Sequence, residues 1–383
     1  MKTAVVLLIS LWLAACASPP PMHPVDSLFH DELFDAPSAP IRPDDAMAVS
    51  AEMRQYIANK IKSGAGFVDR KQQLIDALYR KDELLLEYDA ALTRTAAQAF
   101  DARSGNCLAL VMMTAAFAKE LGLSVRYQSV LGDDSWDRAG DIYVSVGHVN
   151  LTLSDRPPQT GLGLMDTGQL TVDFVPPRNA RSVRARVIQE HTVVAMYLNN
   201  RAVESLTRGE VSDAYWWARE AITKDPQLLS AYITLGVVYR NQHHPELAEQ
   251  ALLRVVAREP GNTKAMSNRV LVLRDLGRQA EADALQQRLA QLDPHPPFSY
   301  FHEGMAALRE HRFEAARKLF IKEVDRAPYH HEFQFWLAVT YLELHDAGRA
   351  TAHLTKAMET STTRKDHDLY AAKLGRLKAL GPQ

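Results

Sequence analysis

Two hydrophobic rhythms divide the chain. In DAMAVSAEMRQYIANKI, DELLLEYDAALTRTAAQAF and the run from Cys107 to Leu121, apolar residues recur at helical steps. The spacing predicts helices there, the first capped by Asp44 or Asp45 and the third ended by Gly122. The period then changes to two. SVRYQSVL, DIYVSVGHVNLTL and LTVDFV are rich in Val, Ile, Tyr and Thr and predict strands. Helices followed by strands predict an α+β domain over residues 44–185.

Beyond residue 195 the pattern is helical again, and it repeats. Pro226, Pro260, Pro294 and Pro328 lie 34 residues apart, as do Ala214, Ala248, Ala282, Ala316 and Ala350. This is the period of the tetratricopeptide repeat, a helix-turn-helix unit. The position where paired helices must approach closely holds Ala202, Gly236, Val270, Gly304 and Ala338, so the third unit is the most degenerate. Five units cover 195–364, and residues 365–383, with DHDLYAAKLGRLKAL, predict a C-terminal cap helix. The fold class is thus an α+β domain followed by an all-α repeat solenoid. Such a solenoid offers a groove for a protein or peptide partner.

The N-terminus changes the compartment. Lys2, the apolar stretch Ala4 to Leu13 and the ending Leu13-Ala14-Ala15-Cys16 read as an export signal over 1–15, too short to span a bilayer. The ending resembles the lipobox of bacterial lipoproteins, which implies cleavage before Cys16 and lipid on that residue; a plain signal cut near Ala15 or Ala17 is the other reading. With Ala17 after the cysteine, the resemblance implies an outer-membrane anchor facing the periplasm. Residues 16–43 are a proline-rich tether, within which SLFHDELF either docks as a short amphipathic turn or stays a linker. Forty-four basic residues against 46 acidic ones, with no long basic run, exclude a nucleic-acid footprint. His243-His244 and His330-His331 lack metal-ligand spacing, so neither metal nor cofactor is expected.

A lipidated Cys16 leaves Cys107 without an intramolecular disulfide partner. In RSGNCLALVMM, Ser104 or Asn106 can cap the helix that starts at Cys107, where free N–H groups and the helix dipole favour a thiolate. By alternation His148 shares a strand face with Ile142, Val144 and Val146, a setting where histidine is commonly a core residue. Asp173 sits inside LTVDFV. If these strands pair about SDRPPQTGLG, facing positions sum to about 321, which sets His148 opposite Asp173.

The motifs around Gly105-Asn106-Cys107, GHVNLTL and LTVDFVPP, in this order over roughly residues 90–177, resemble the transglutaminase-like superfamily of papain-type cysteine enzymes. With the signal and repeats, the chain resembles bacterial transglutaminase-like lipoproteins with C-terminal tetratricopeptide repeats. The resemblance implies Cys107 as nucleophile, His148 as general base and acid, and Asp173 as its orienter. It implies acyl transfer: peptidase, amidase or cross-linking. Gln98 and Gln128 are candidates for a second oxyanion donor beside the Cys107 N–H. The chain departs from the family in having Val149-Asn150 after the histidine, where many members have Ala-Trp, and Phe174 rather than proline after Asp173. The alternative is a non-catalytic scaffold, with the repeats as working part and a degenerate first domain.

Overall fold

The structure is a computed structural model that describes residues 24–61, 69–80, 83–84, 86–89, 92–139, 142–155, 168–174, 184–328, 330–361 and 364–379. The export segment, Cys16 and the start of the tether lie outside the described residues. Among the described residues no helix is long and apolar enough to cross a membrane.

The first domain carries helices α1 (Ala51–Tyr56), α2 (Arg70–Tyr79), α3 (Ala96–Ala102) and α4 (Cys107–Glu120). Two short strands, β1 (Glu87–Tyr88) and β2 (Ser104–Gly105), pair in parallel just before α4. Four further strands follow: β3 (Ser124–Ala139), β4 (Ile142–Ser154), β5 (Leu170–Val172) and β6 (Arg184–Ile188). They form an antiparallel sheet in the order β5-β4-β3-β6. Residues Cys107 to Ala118 of α4 are all buried, as an apolar surface on every side of a helix requires. Tyr127, Val149, Leu151, Leu153, Val172 and Ile188 of the sheet share its core.

Several expected boundaries move. Asp44 and Asp45 do not cap α1; they sit in a 3-10 turn, Pro43–Met47, and Ser50 Oγ instead accepts the Met53 N–H at 3.2 Å. Among the described residues of DELLLEYDAALTRTAAQAF, only α3 is helical, and Glu87 and Tyr88 are instead drawn into pairing with Ser104 and Gly105. Helix α2 escapes the reading: its buried apolar residues are few, Leu74, Ala77 and Leu78. DDSWDRAGD, between the expected strands SVRYQSVL and DIYVSVGHVNLTL, is itself strand up to Ala139. Strand β3 runs on through it after an irregularity between Val130 and Ser135, and pairs with the start of β4.

The second part is five antiparallel helix pairs. They are α5 (Glu190–Thr207) with α6 (Val211–Lys224), α7 (Leu229–Asn241) with α8 (Pro245–Arg258), and α9 (Thr263–Asp275) with α10 (Gln279–Leu292). Then come α11 (Ser299–Arg309) with α12 (Phe313–Arg326), and α13 (His331–Glu343) with α14 (Ala347–Glu359). Helix α15 (Arg364–Ala379) covers the end, seating Tyr370 and Leu374 against Ala338, Leu354 and Ala357. The small positions are where the sequence demands them. A Cβ on Gly304 would lie 2.9 Å from Phe320 Cε1, and one on Gly236 3.0 Å from Leu252 Cγ. One continuous core runs from the α+β domain into α9, while repeats four and five close around a separate core centred on Phe298, Phe301 and Phe320.

From Pro24 onward the tether is a strap on the first repeats, so SLFHDELF takes its docked alternative. Phe34 stacks on Tyr215 at 3.9 Å between ring centroids, and Leu28 is buried beside it. Tyr239 donates to the Leu28 carbonyl at 2.5 Å, Tyr215 to Asp31 Oδ1 at 2.6 Å, and Trp216 Nε1 to the Asp35 carbonyl at 2.7 Å. Ser38 N–H donates to Asp213 Oδ1 at 2.7 Å. Replacing Phe34 by Ala removes the stacked ring and is expected to cost about 3 kcal/mol of strap attachment. Hydrogen exchange at the Asp35 and Ser38 amides measures this: faster exchange at both is expected, and unchanged protection would show that Phe34 does not hold the strap.

Candidate active site

The site is built on the start of α4. Asn106 is the N-cap, its Oδ1 accepting the Ala109 N–H at 3.0 Å, so of the two caps considered Asn106 serves and Ser104 pairs in β2 instead. The N–H groups of Cys107 and Leu108 have no partner within the helix and point outward from its positive end. Gly105 has a steric reason. A Cβ there would lie 2.9 Å from the Ala109 Cβ, so only glycine lets the incoming chain meet the first turn this closely. Cys107 is a free cysteine with 2% of its surface exposed.

His148 lies on β4 and Asp173 just past the end of β5. His148 Nε2 and Asp173 Oδ2 are 2.9 Å apart. The expected register is corrected by two residues. The observed partners are Leu151 with Val172, Thr152 with Thr171, and Leu153 with Leu170. Continued by one residue, this places Asp173 level with Asn150 and diagonal to His148. A shift of two preserves the strand face, and diagonal neighbours stay within reach of side chains this long.

The face expected for His148 is described only in part. Side chains of Ile142, Val144 and Val146 lie outside the described residues. Asn150, Thr152 and Ser154, buried like His148, alternate with the apolar Val149, Leu151 and Leu153. His148 therefore heads a polar row. Asn150 was not anticipated: its Nδ2 donates to the same Asp173 Oδ2 at 3.2 Å. Its position two residues after His148, on the same strand face, was the available signal.

Burial pulls the His148 ring toward neutrality, but the hydrogen bonds and charges of Asp173 and Cys107 outweigh it and push its pKa from 6.5 up to about 10. The thiol of Cys107 thus lies close enough to the ring to act on its charge. With Nε2 engaged by Asp173, Nδ1 is the nitrogen left to face the thiol. The three predicted residues are brought together.

The two glutamines separate. Gln98 is exposed and committed to a capping box: its Oε1 accepts the Thr95 N–H at 3.0 Å while its own N–H donates to Thr95 Oγ1 at 3.2 Å. Gln128 pairs with Asn150 across β3 and β4 and stays near the site. At the outer side of Asp173, Tyr79 is half exposed and stacks on Phe174 with ring centroids 5.9 Å apart.

Comparison with known proteins bears on the second part of the chain. The tetratricopeptide-repeat family profile matches residues 233–297 and 301–360, so the C-terminal region consists of tetratricopeptide repeats, a fold that mediates protein–protein interaction. Among solved structures, YrrB, described as a TPR protein with an unusual peptide-binding site, is 22% identical over 47% of this chain and 92% of its own, with a TM-score of 0.25. PilF of Pseudomonas aeruginosa is 18% identical over 51% of this chain and 95% of its own, with a TM-score of 0.28. MamA is 17% identical over 45% of this chain and 93% of its own, with a TM-score of 0.26. No curated protein matches the chain.

A raised histidine pKa stabilises the fold below the unfolded value of 6.5 and loses that contribution as pH rises through about 10. The stability lost in Asp173→Asn is therefore expected to be largest in acid, about 2 kcal/mol, and to shrink across this window. Urea unfolding of both proteins along the pH series checks it. A difference that stays constant would mean that His148 is not charged in the folded chain.

Proposed function

We propose that the chain is an envelope lipoprotein whose α+β domain is a transglutaminase-like acyl-transfer site and whose repeats hold a protein or peptide partner. The observation that carries this reading is the arrangement at Cys107: a thiol at a helix N-terminus beside His148, itself 2.9 Å from Asp173. Lipid on Cys16 and an outer-membrane address facing the periplasm rest on the export signal and its lipobox resemblance.

The chemistry follows from the residues. Cys107 Sγ bonds to an amide or ester carbonyl carbon as His148 holds the thiol proton. The oxyanion forms beside the N–H groups of the first turn of α4, with Gln128 or another group as second donor. His148 gives the proton to the leaving amine or alcohol, and an acyl thioester remains on Cys107. Water then releases the acid, or an amine takes the acyl group. Asp173 keeps the imidazole oriented and stabilises its charged form, and Asn150 donates to the same Asp173 oxygen and helps hold it in place.

One observation favours the scaffold reading. Cys107 and His148 expose only 2% and 6% of their surface, so a carbonyl reaches the sulfur only if the cleft opens. Alkylation of the native chain by iodoacetamide separates the two. The acyl-transfer reading expects Cys107 to react near pH 6 at least about tenfold faster than in His148→Ala. No native-state alkylation, or a rate indifferent to His148, would leave the repeats as the working part.

A further inference from the structure

The cap that starts α4 is not closed within the α+β domain. Asn106 uses its Oδ1 on the Ala109 N–H and its Nδ2 on Thr93 Oγ1, the latter at 2.8 Å. Thr93 is fully buried. Its hydroxyl also accepts from Asn200 Nδ2 at 3.3 Å, and its N–H donates to Glu204 Oε1 at 2.7 Å. Asn200 and Glu204 belong to α5, the leading helix of the first repeat. Arg201 Nη1 lies 3.3 Å from Glu204 Oε2 and Arg208 adds its charge, so the carboxylate is braced from its own helix.

This chain of bonds has a direction imposed by donor count. Asn106 caps α4 only with its oxygen toward Ala109, and that orientation presents its NH₂ to Thr93. A hydroxyl at Thr93 accepts that NH₂ and fixes the amide; Glu204 fixes Thr93 through its N–H, and Asn200 donates to its hydroxyl. Without the Thr93 acceptor the buried NH₂ of Asn106 is left unpaired, only the Ala109 N–H still holds the amide, and the cap of the first turn carrying Cys107 weakens.

We propose that Glu204 and Asn200 of the first repeat, acting through Thr93 and Asn106, are positioning residues for Cys107, so that the repeat array helps set the reactivity of the thiol. The proposal rests on the acyl-transfer reading of the Cys107 site. It makes the solenoid part of the site's architecture: whatever binds the repeats and shifts α5 moves the acceptors that hold the Asn106 cap.

The test compares Cys107 alkylation by iodoacetamide, as a function of pH, in the full chain and four variants. Thr93→Val keeps the shape and removes the hydroxyl; Glu204→Ala removes the acceptor. Both are expected to slow alkylation near pH 6 by about fivefold, the scale of a lost N-cap, and to flatten the pH profile. Thr93→Ser and Glu204→Gln restore the acceptors and are expected to return the rate to within about twofold of the parent. If Glu204→Ala does not fold, Thr93→Val carries the same comparison. Parent-like rates and profiles in Thr93→Val and Glu204→Ala overturn the proposal, as does a loss that the conservative variants fail to restore. The His148→Ala arm alone decides the reading beneath it, so the two failures are told apart.

Discussion

The structure depends on one buried hydrogen bond, from the Ala109 N–H to Asn106 Oδ1. It fixes where α4 begins, and so fixes Cys107 as the first residue of a helix that is apolar on all sides. Buried in that way, the helix has no freedom to slide. Its N–H groups, its dipole and the thiol are presented at one point, where β4 and the end of β5 deliver His148 and Asp173. Gly105 makes the approach sterically possible, since any side chain there meets Ala109.

The two parts of the chain are joined more tightly than a domain and an appended array would be. The core is continuous from α4 into the third repeat. Glu190, at the start of α5, pairs with Lys119 at the end of α4 and accepts from Tyr127 on β3 at 2.8 Å. The strap adds a second bond between N-terminus and repeats, with Phe34 and Leu28 as its anchors. Repeats four and five, by contrast, close around their own core beyond the proline-rich turn at Pro294 to Pro297. Rigid support for the Cys107 site is therefore concentrated in the first repeats.

How much of this was legible depended on how local the cause was. The repeats were read from spacing because helix packing imposes the same small residue at each crossing, and Gly236 and Gly304 meet that demand directly. Helix α4 and its cap were legible because an unbroken apolar run after Gly-Asn admits few other structures. The pairing of β1 with β2 was not, since two-residue strands carry no periodicity and exist only through their tertiary partner. The His148–Asp173 contact was anticipated for a slightly wrong reason: the register is shifted by two, and side-chain reach absorbs the shift. Asn150 and the Thr93–Glu204 link were missed because each depends on which way an amide or carboxylate points across elements far apart in sequence.

At the Cys107 site a charged imidazole is held between the Cys107 sulfur and the Asp173 carboxylate. Nitrogen-15 NMR of the His148 ring in the full chain at about pH 8 reads this directly. The expected result is an imidazolium with both ring nitrogens protonated, losing its proton only as pH nears about 10. A neutral ring, titrating near the ordinary value of 6.5, would contradict it.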